Sequence, residues 1–332
     1  MLKVDVILGV QHGDEGKGKV THHLLQKGPY THCVRYNGGC NAGHTIYHKG
    51  EKFVTHHIPA GVFFGVKSII GPGCVVDIYK FFEEVKMLHK AGIFIHDKIF
   101  IAKNAHVIRQ EHYDADAKDT KIGTTKTGNG PCYAAKYNRS GVRAEEYPIL
   151  EPYMIDMYEE FFIHHPEATV LCEGAQGAEL DIDWGDYPYV TSSHCTVAGA
   201  CLNGFPPRSI RSVIGVAKAY ETYVGAKDFQ PGQAVFSAIQ EAGNEFGATT
   251  GRKRQCNWMS LPNLEKVINQ NGVTHLIINK MDVLESLGTW SVYVDHKRAN
   301  LFTFQNKRQF CEYITAYFPN VDVIYSGSPE KV

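Results

Sequence analysis

The chain has 332 residues, of which 43% are hydrophobic and 21% charged, the balance of an ordinary globular protein. A formal net charge of −1 provides no basic field for nucleic acid or an anionic membrane, so cations for phosphate must be clustered locally. No apolar stretch could span a bilayer, the first strand begins too early for a signal peptide, and nine cysteines without a C-x-x-C pair fit free thiols in a reducing cytoplasm.

The apolar run Val4–Val10 reads as a buried strand leading into Gly13-Asp14-Glu15-Gly16-Lys17-Gly18-Lys19. Glycines between a strand and a helix let backbone N–H groups turn inward around phosphate oxygens, and the helix adds its positive end. That helix is expected over Lys19–Lys27, with Val20 and Leu24 on one face and Gly28-Pro29 ending it. The loop has Walker A spacing, Gly13-x4-Gly18-Lys19, but Val20 stands where a magnesium-binding Ser or Thr belongs. Asp14 and Glu15 bring negative charge into a phosphate cradle. That is tolerable when a carboxylate binds Mg²⁺ or takes a proton from a substrate beside it.

A second strand, His32–Tyr36, runs into the glycine- and asparagine-rich loop Asn37–Thr45, which is costly to order and suits close approach of backbone to a ligand. His44 in that loop is a candidate acid or charge stabiliser. Asp77 is expected to cap a helix reaching Ala91, with Phe81, Phe82, Val85 and Leu88 inward and Gly92 as the stop. Further strands are expected at Ile99–Ala102, Thr169–Cys172, Ser212–Ala217, Val273–Ile278, Trp290–Val294 and Val321–Tyr325. Further helices are expected at Glu151–His164, Leu261–Gln270 and Lys307–Tyr317. The alternation implies an α/β fold: a mostly parallel, doubly wound central sheet flanked by helices, with ligands at the C-terminal ends of its strands. No linker divides the chain, so residues 1–332 read as one domain with loop insertions.

Four later strings carry chemistry. Gly123–Pro131, followed by Lys136, Arg139 and Arg143, suits a second phosphate, and read alone is equally a flexible surface loop. In the segment from Glu173 to Ser193, Gln176 could bond a base edge and Thr191 a phosphate, while Asp181 and Asp183 could equally be turn residues. Gly247–Arg254 concentrates Arg252, Lys253 and Arg254, which fits bidentate capture of a dicarboxylate or, on even terms, a solvated charge run. Asn279-Lys280-Met281-Asp282 ends a strand and can read guanine, whose N1–H and 2-amino group a carboxylate accepts. The histidines include no H-E-x-x-H and no zinc-type spacing with cysteine.

Taken together, QHGDEGKGKV, NAGHT, IGTTKTGNGPCYAAKYNRSGVR, CEGAQGAELDID, YPYVTSS, NEFGATTGRKR and NKMDVL resemble the adenylosuccinate synthetase family, in that family's order. The resemblance is clear through Asp282 and weaker beyond it. It implies a cytoplasmic homodimer that joins L-aspartate to IMP with GTP and one Mg²⁺ per site. The reaction passes through 6-phosphoryl-IMP to adenylosuccinate, GDP and phosphate, in AMP biosynthesis.

By resemblance, Asp14 takes the N1 proton of IMP and, with the Gly43 carbonyl, holds Mg²⁺. His44 stabilises the migrating γ-phosphoryl group and Lys17 neutralises developing charge. GTP contacts are implied for Gly13, Glu15, Gly16, Lys17, Gly18, Lys19, Gly43, His44 and Thr45, with Lys280, Asp282, Ser326 and Gly327 around the base. IMP contacts are implied for Asp14, Asn41, Thr125, Gln176, Thr191 and Arg252, with Arg139 reaching the neighbouring subunit's IMP. Thr249, Thr250, Arg252 and Arg254 match the L-aspartate loop.

The chain departs from the family in three ways. It is compact, with losses between Arg143 and Thr169 and after Asp282. Lys126-Thr127-Gly128-Asn129-Gly130 replaces Gly-Arg-Gly-Ile-Gly, and Ser328-Pro329 brings its proline later. Two alternatives stand beside this reading. A related phage synthetase aminates dGMP and carries serine at the position of Asp14. A GTPase switch explains Lys17 and Asn279–Asp282 but neither NAGHT nor Arg252–Arg254.

Overall fold

The opening apolar run forms the strand Lys3–Gly9, buried everywhere after Lys3. A strand with neighbours on both sides and layers on both faces needs a continuous apolar sequence rather than an alternating one. Asp5 is the exception, and it is neutralised by Arg211 Nε at 3.0 Å and accepts from Tyr30 OH at 2.7 Å.

The computed structural model describes residues 1–247, 251–328 and 332. At its centre is a nine-stranded sheet in the order Asp322–Tyr325, His275–Asn279, Ile210–Lys218, Lys3–Gly9, Thr169–Glu173, His32–Arg35, Lys67–Ile70, Ile99–Ala102 and Met154–Ile155. Every neighbouring pair is parallel. The two faces carry separate cores: Val4, Val6 and Leu8 enter one, and Ile7 enters the other with Val20, Ile70 and Phe81. This is the doubly wound α/β architecture that the alternation of strands and helices implies.

The helix after the Gly-rich loop is Lys17–Lys27, two residues longer at its start than expected. Val20 is fully buried in the second core, which explains why an apolar residue occupies the Walker hydroxyl position. Asp77 caps Ile78–Lys90 by accepting from Lys80 N at 3.0 Å; Phe81 and Leu88 are buried, Phe82 and Val85 half-buried, and Gly92 follows at φ +70°. The helix Lys307–Tyr317 matches its expected bounds.

Two expectations are corrected. The segment 151–164 is not a helix: it contributes part of a 3₁₀ stretch, Pro148–Tyr153, then the edge strand Met154–Ile155 and a π-helical turn, Glu159–His164. Pro152 withholds a backbone donor and crowds the preceding turn, which breaks a continuous α-helix. The expected strand at 290–294 is Ser291–Tyr293, and it belongs to a separate four-stranded sheet with Tyr220–Tyr223, Gln255–Ser260 and Leu301–Thr303. Among the described residues no helix is long and apolar enough to cross a membrane, and no disulfide links the nine cysteines.

Candidate active site

Because the sheet is parallel, Gly9, Arg35, Glu173, Lys218 and Asn279 all end their strands at one edge. Ligands of such sheets bind beyond that edge. There a cleft of about 620 Å³ opens, and it gathers residues 13–19, Asn41, Gly43, His44, Thr45, Thr125, Gln176, Thr191, Arg252, Arg254, Lys280 and Asp282. Ser326 and Gly327 do not line it, although Ser328 does; they pack behind Asp282, with Met281 N donating to Ser326 O at 3.2 Å. Arg139 is exposed at the end of the helix Asn129–Tyr137 and does not line the cleft. Thr249 and Thr250 lie outside the described residues.

The Gly-rich loop is pinned from within. Glu15 is buried, and its carboxylate accepts from Gln11 N at 3.2 Å, Gly13 N at 2.8 Å and Lys17 Nζ at 2.6 Å. Of the two acids that the sequence places here, only Asp14 presents its carboxylate to the cleft, with its side chain 38% exposed and φ at +61°. Glu15 instead orders the loop and neutralises Lys17, so what it can offer phosphate is backbone rather than carboxylate.

Asn279 Nδ2 donates to the Glu15 carbonyl at 2.7 Å, tying the base-reading string to the phosphate loop. Gly16 makes that tie possible, because φ there is +94° and an added Cβ would stand 2.9 Å from Asn279 Nδ2. Gly16→Ala should therefore cost about 1–3 kcal/mol of stability, read as a lower urea midpoint. An unchanged midpoint would contradict this account of the loop.

Lys19 holds the Walker lysine position and lines the cleft. Its Nζ donates to Ser326 Oγ and Ser328 O, both at 2.8 Å, and joins the loop helix to the C-terminal segment. Burial, partly countered by Asp282, lowers its pKa to about 8. Lys280, at φ +64°, sends its Nζ to Gly243 O at 2.7 Å, leaving Asp282 in the first turn of the helix Met281–Leu287 facing the cleft.

His44 begins the hairpin His44–His48 with Glu51–Thr55. Its Nδ1 bonds the Glu173 carboxylate, and its Nε2 lies 2.8 Å from Arg35 Nη1. Burial, then the Arg35 charge, lowers the histidine to about 4, so the ring is neutral at pH 7, donating from Nδ1 and accepting at Nε2. Burial alone would raise Glu173, but Arg35 and His44 bring it down to about 2. Both ring nitrogens are thus engaged.

The remaining motifs interlock. Gln176, at φ +57°, donates from Nε2 to Asn41 Oδ1 at 3.1 Å. Arg252 Nη1 donates to Gly123 O at 2.9 Å and Thr124 O at 3.2 Å, so two strings read separately as anion loops meet. Thr125 Oγ1 lies 2.8 Å from Thr127 Oγ1. The divergent stretch at Lys126–Gly130 is anchored by Asp116, which accepts from Thr124 Oγ1 at 2.7 Å and Gly128 N at 2.8 Å. Asn129 starts a helix here, so only the first part of this string is loop.

Sequence reasoning missed Arg35, Lys218 and Glu245. Each is a charge at the end of a buried strand or beside a glycine loop, and that was the available signal. Lys218 and Glu245 form a fully buried ion pair at 2.9 Å. Burial would raise Glu245, but Lys218 and Arg254 bring it down to about 2.

For a magnesium ion, the Asp14 carboxylate and Gly43 carbonyl are hard oxygen donors in the same cleft, which fits its chemistry. The clusters His32–Glu160–His165 and Asp181–Asp183–His194 contain neither residue. Asp181 is moreover consumed by backbone donors from Cys195, Asp183 and Trp184.

A family model described as adenylosuccinate synthetase matches residues 6–152 and 147–325 of this chain. The chain belongs to the adenylosuccinate synthetase family. The adenylosuccinate synthetase of Cytophaga hutchinsonii is 38% identical over 90% of this chain and 81% of its own length. That of Helicobacter acinonychis is 36% identical over 92% and 86%. Among solved structures, fully ligated adenylosuccinate synthetase from Plasmodium falciparum superposes with a TM-score of 0.88 and 27% identity over 98% of each chain. Succinoaminodeoxyadenylate synthetase of cyanophage S-2L, bound to dGMP and dATP, scores 0.74 at 22% identity, over 96% of this chain and 99% of that one, and shares the fold.

Proposed function

We propose that this chain joins L-aspartate to C6 of IMP, using GTP, and yields adenylosuccinate, GDP and phosphate. The observation that carries the reading is the Asp14 carboxylate, open to a cleft that also holds the Gln176–Asn41 pair, Asp282 and two arginines. A nucleobase lactam is activated by removing its N1 proton, and an exposed carboxylate beside a phosphate loop is suited to that task. Asp14 takes the proton from N1. The freed electron pair moves onto O6, which bonds the γ-phosphorus of GTP as the bond to the β-phosphate oxygen breaks. The aspartate amine then adds at C6 and phosphate departs, a far better leaving group than hydroxide.

Lys17, on turning from Glu15 to the ligand, and the amides of residues 14–18 favour charge accumulating on the phosphoryl oxygens. A magnesium ion held by Asp14 and the Gly43 carbonyl would add positive charge to the same oxygens. For His44 to donate to the phosphoryl group, its Nε2 must exchange Arg35 for the ligand and gain a proton, since the neutral ring carries its hydrogen on Nδ1.

Asp282 accepts from guanine N1–H and the 2-amino group. Asp282→Asn should lower kcat/KM for GTP by about 10- to 100-fold, the worth of hydrogen bonds to a charged acceptor. It should also narrow the preference for GTP over ITP, which lacks the 2-amino group; an unchanged GTP-to-ITP ratio would refute the assignment. The exposed position of Arg139, away from its own cleft, supports a homodimer in which it meets the partner's IMP phosphate. Arg139→Leu should raise KM for IMP about tenfold, the loss of one charge-assisted contact, without altering KM for GTP.

The reading is tested by phosphate release from GTP with Mg²⁺, IMP and L-aspartate, omitting each in turn and substituting dGMP for IMP. Release that needs all four, with dGMP inactive, supports it. Release with GTP alone would favour a switch-type GTPase, and activity with dGMP but not IMP would favour the phage-type reaction.

A further inference from the structure

Four charged side chains link the arginine loop to the Gly-rich loop without a break. Arg254 lies between two carboxylates, with Nε 2.7 Å from Asp14 Oδ2 and Nη1 2.6 Å from Glu245 Oε2. Lys218 Nζ then donates to both Glu245 oxygens, at 3.0 and 2.9 Å.

The two carboxylates that flank Arg254 are not equivalent. Glu245 has no exposed surface and also accepts from Tyr220 OH at 2.6 Å, while Lys218 is held further by Thr222 Oγ1 at 2.8 Å. The main chain fixes the same pair, since Arg254 N donates to the Glu245 carbonyl at 3.0 Å. Asp14 lies on the other side, at the open cleft, with its side chain 38% exposed. Glu245 is therefore a fixed anchor, and Asp14 an exchangeable partner. A guanidinium whose Nη1 is anchored still presents its Nε side, and an in-plane pair of N–H groups is what binds a carboxylate bidentately.

We propose that Glu245 is a positioning residue for the dicarboxylic substrate: it anchors Arg254 so that the Nε side passes from Asp14 to the incoming carboxylate. The inference rests on the reading of Arg254 as an L-aspartate contact. Its consequence is a link between the two loops, because a substrate carboxylate that takes Arg254 leaves Asp14 Oδ2 open to accept the nucleobase proton.

Steady-state kinetics of Glu245→Gln, Tyr220→Phe and Arg254→Ala test it, with folding checked by thermal unfolding. Glu245→Gln should raise KM for L-aspartate about tenfold, as expected for weakened hydrogen bonding to a charged group, and leave KM for GTP and IMP within about twofold. Glu245→Asp should restore part of the loss. Tyr220→Phe removes one donor to the anchor without emptying the site, and should raise the same KM about threefold. This second variant decides the matter if Glu245→Gln does not fold. A fall in kcat alone, or equal changes in all three KM values, would show a merely structural role and overturn the proposal. If Arg254→Ala raises KM for L-aspartate while Glu245→Gln and Tyr220→Phe do not, the anchoring inference alone fails. If Arg254→Ala leaves it unchanged, the aspartate assignment fails as well.

Discussion

Asp14→Asn should lower adenylosuccinate formation by about 10²- to 10⁴-fold, the range spanned by a positioned general base. The substitution keeps the side chain's size and lets it still accept from Arg254, but an amide cannot take the N1 proton. Arg254 retains Glu245 in either case, and Asp14 is half open to solvent, so the fold should survive. The Gly-rich loop is pinned by Glu15 rather than Asp14, so GTP should bind the variant in a titration without IMP much as it binds the parent. A rate within tenfold of the parent would remove Asp14 from the role of base. Loss of folding would instead show that the loop depends on the wrong acid.

Glu173→Gln should destabilise the protein by about 3–5 kcal/mol, the cost of leaving a buried charge without its partner. The carboxylate has no exposed surface and faces Arg35 Nη2 at 3.3 Å, His44 Nδ1 and Ala60 N at 2.9 Å. Two sign arguments give the pH dependence. Glu173 falls from an ordinary 4.5 to about 2 on folding, so its contribution is complete above 4.5 and is lost as pH falls towards 2. His44 falls from 6.5 to about 4, so below 6.5 the unfolded chain binds a proton that the folded ring refuses, and stability declines towards pH 4. Urea midpoints at pH 7.5, 5.5, 4.5 and 3.0 check both, the His44 decline setting in between the first three and the Glu173 decline below the third. Glu173→Gln should have the lower midpoint throughout, and a difference below about 1 kcal/mol at pH 7.5 would contradict the buried-pair account.

What could be read without coordinates was local. Lys307–Tyr317 and Ile78–Lys90 announce themselves through apolar spacing, and Asp77 through its capping position, because those signals act within a turn or two. The segment 151–164 shows an equally helical pattern, yet Pro152 and the sheet edge that takes Met154–Ile155 decide it otherwise. The strings around the cleft were legible because glycines, hydroxyls and charges at short spacing are the residues that a phosphate or base site requires.

The direction of individual side chains was not legible. Nothing in Gly13–Lys19 says that Glu15 turns inward while Asp14 turns out, since that depends on Gln11 N and Gly13 N converging on one oxygen. Lys218 and Glu245 meet only because their segments close on one another in space, and no periodicity encodes that pairing. Arg35 and Lys218, charges buried at the ends of strands, could have been questioned from the sequence alone, although their partners could not be named from it.

The central claim is that O6 of IMP attacks GTP and later leaves with the phosphate. It is tested most directly by supplying IMP labelled with ¹⁸O at O6, together with GTP and L-aspartate, and analysing the released phosphate by mass spectrometry. The account predicts one labelled oxygen in the phosphate for each adenylosuccinate formed. Phosphate carrying only solvent or GTP oxygen would mean that water, not the nucleobase, attacks GTP, and would contradict it.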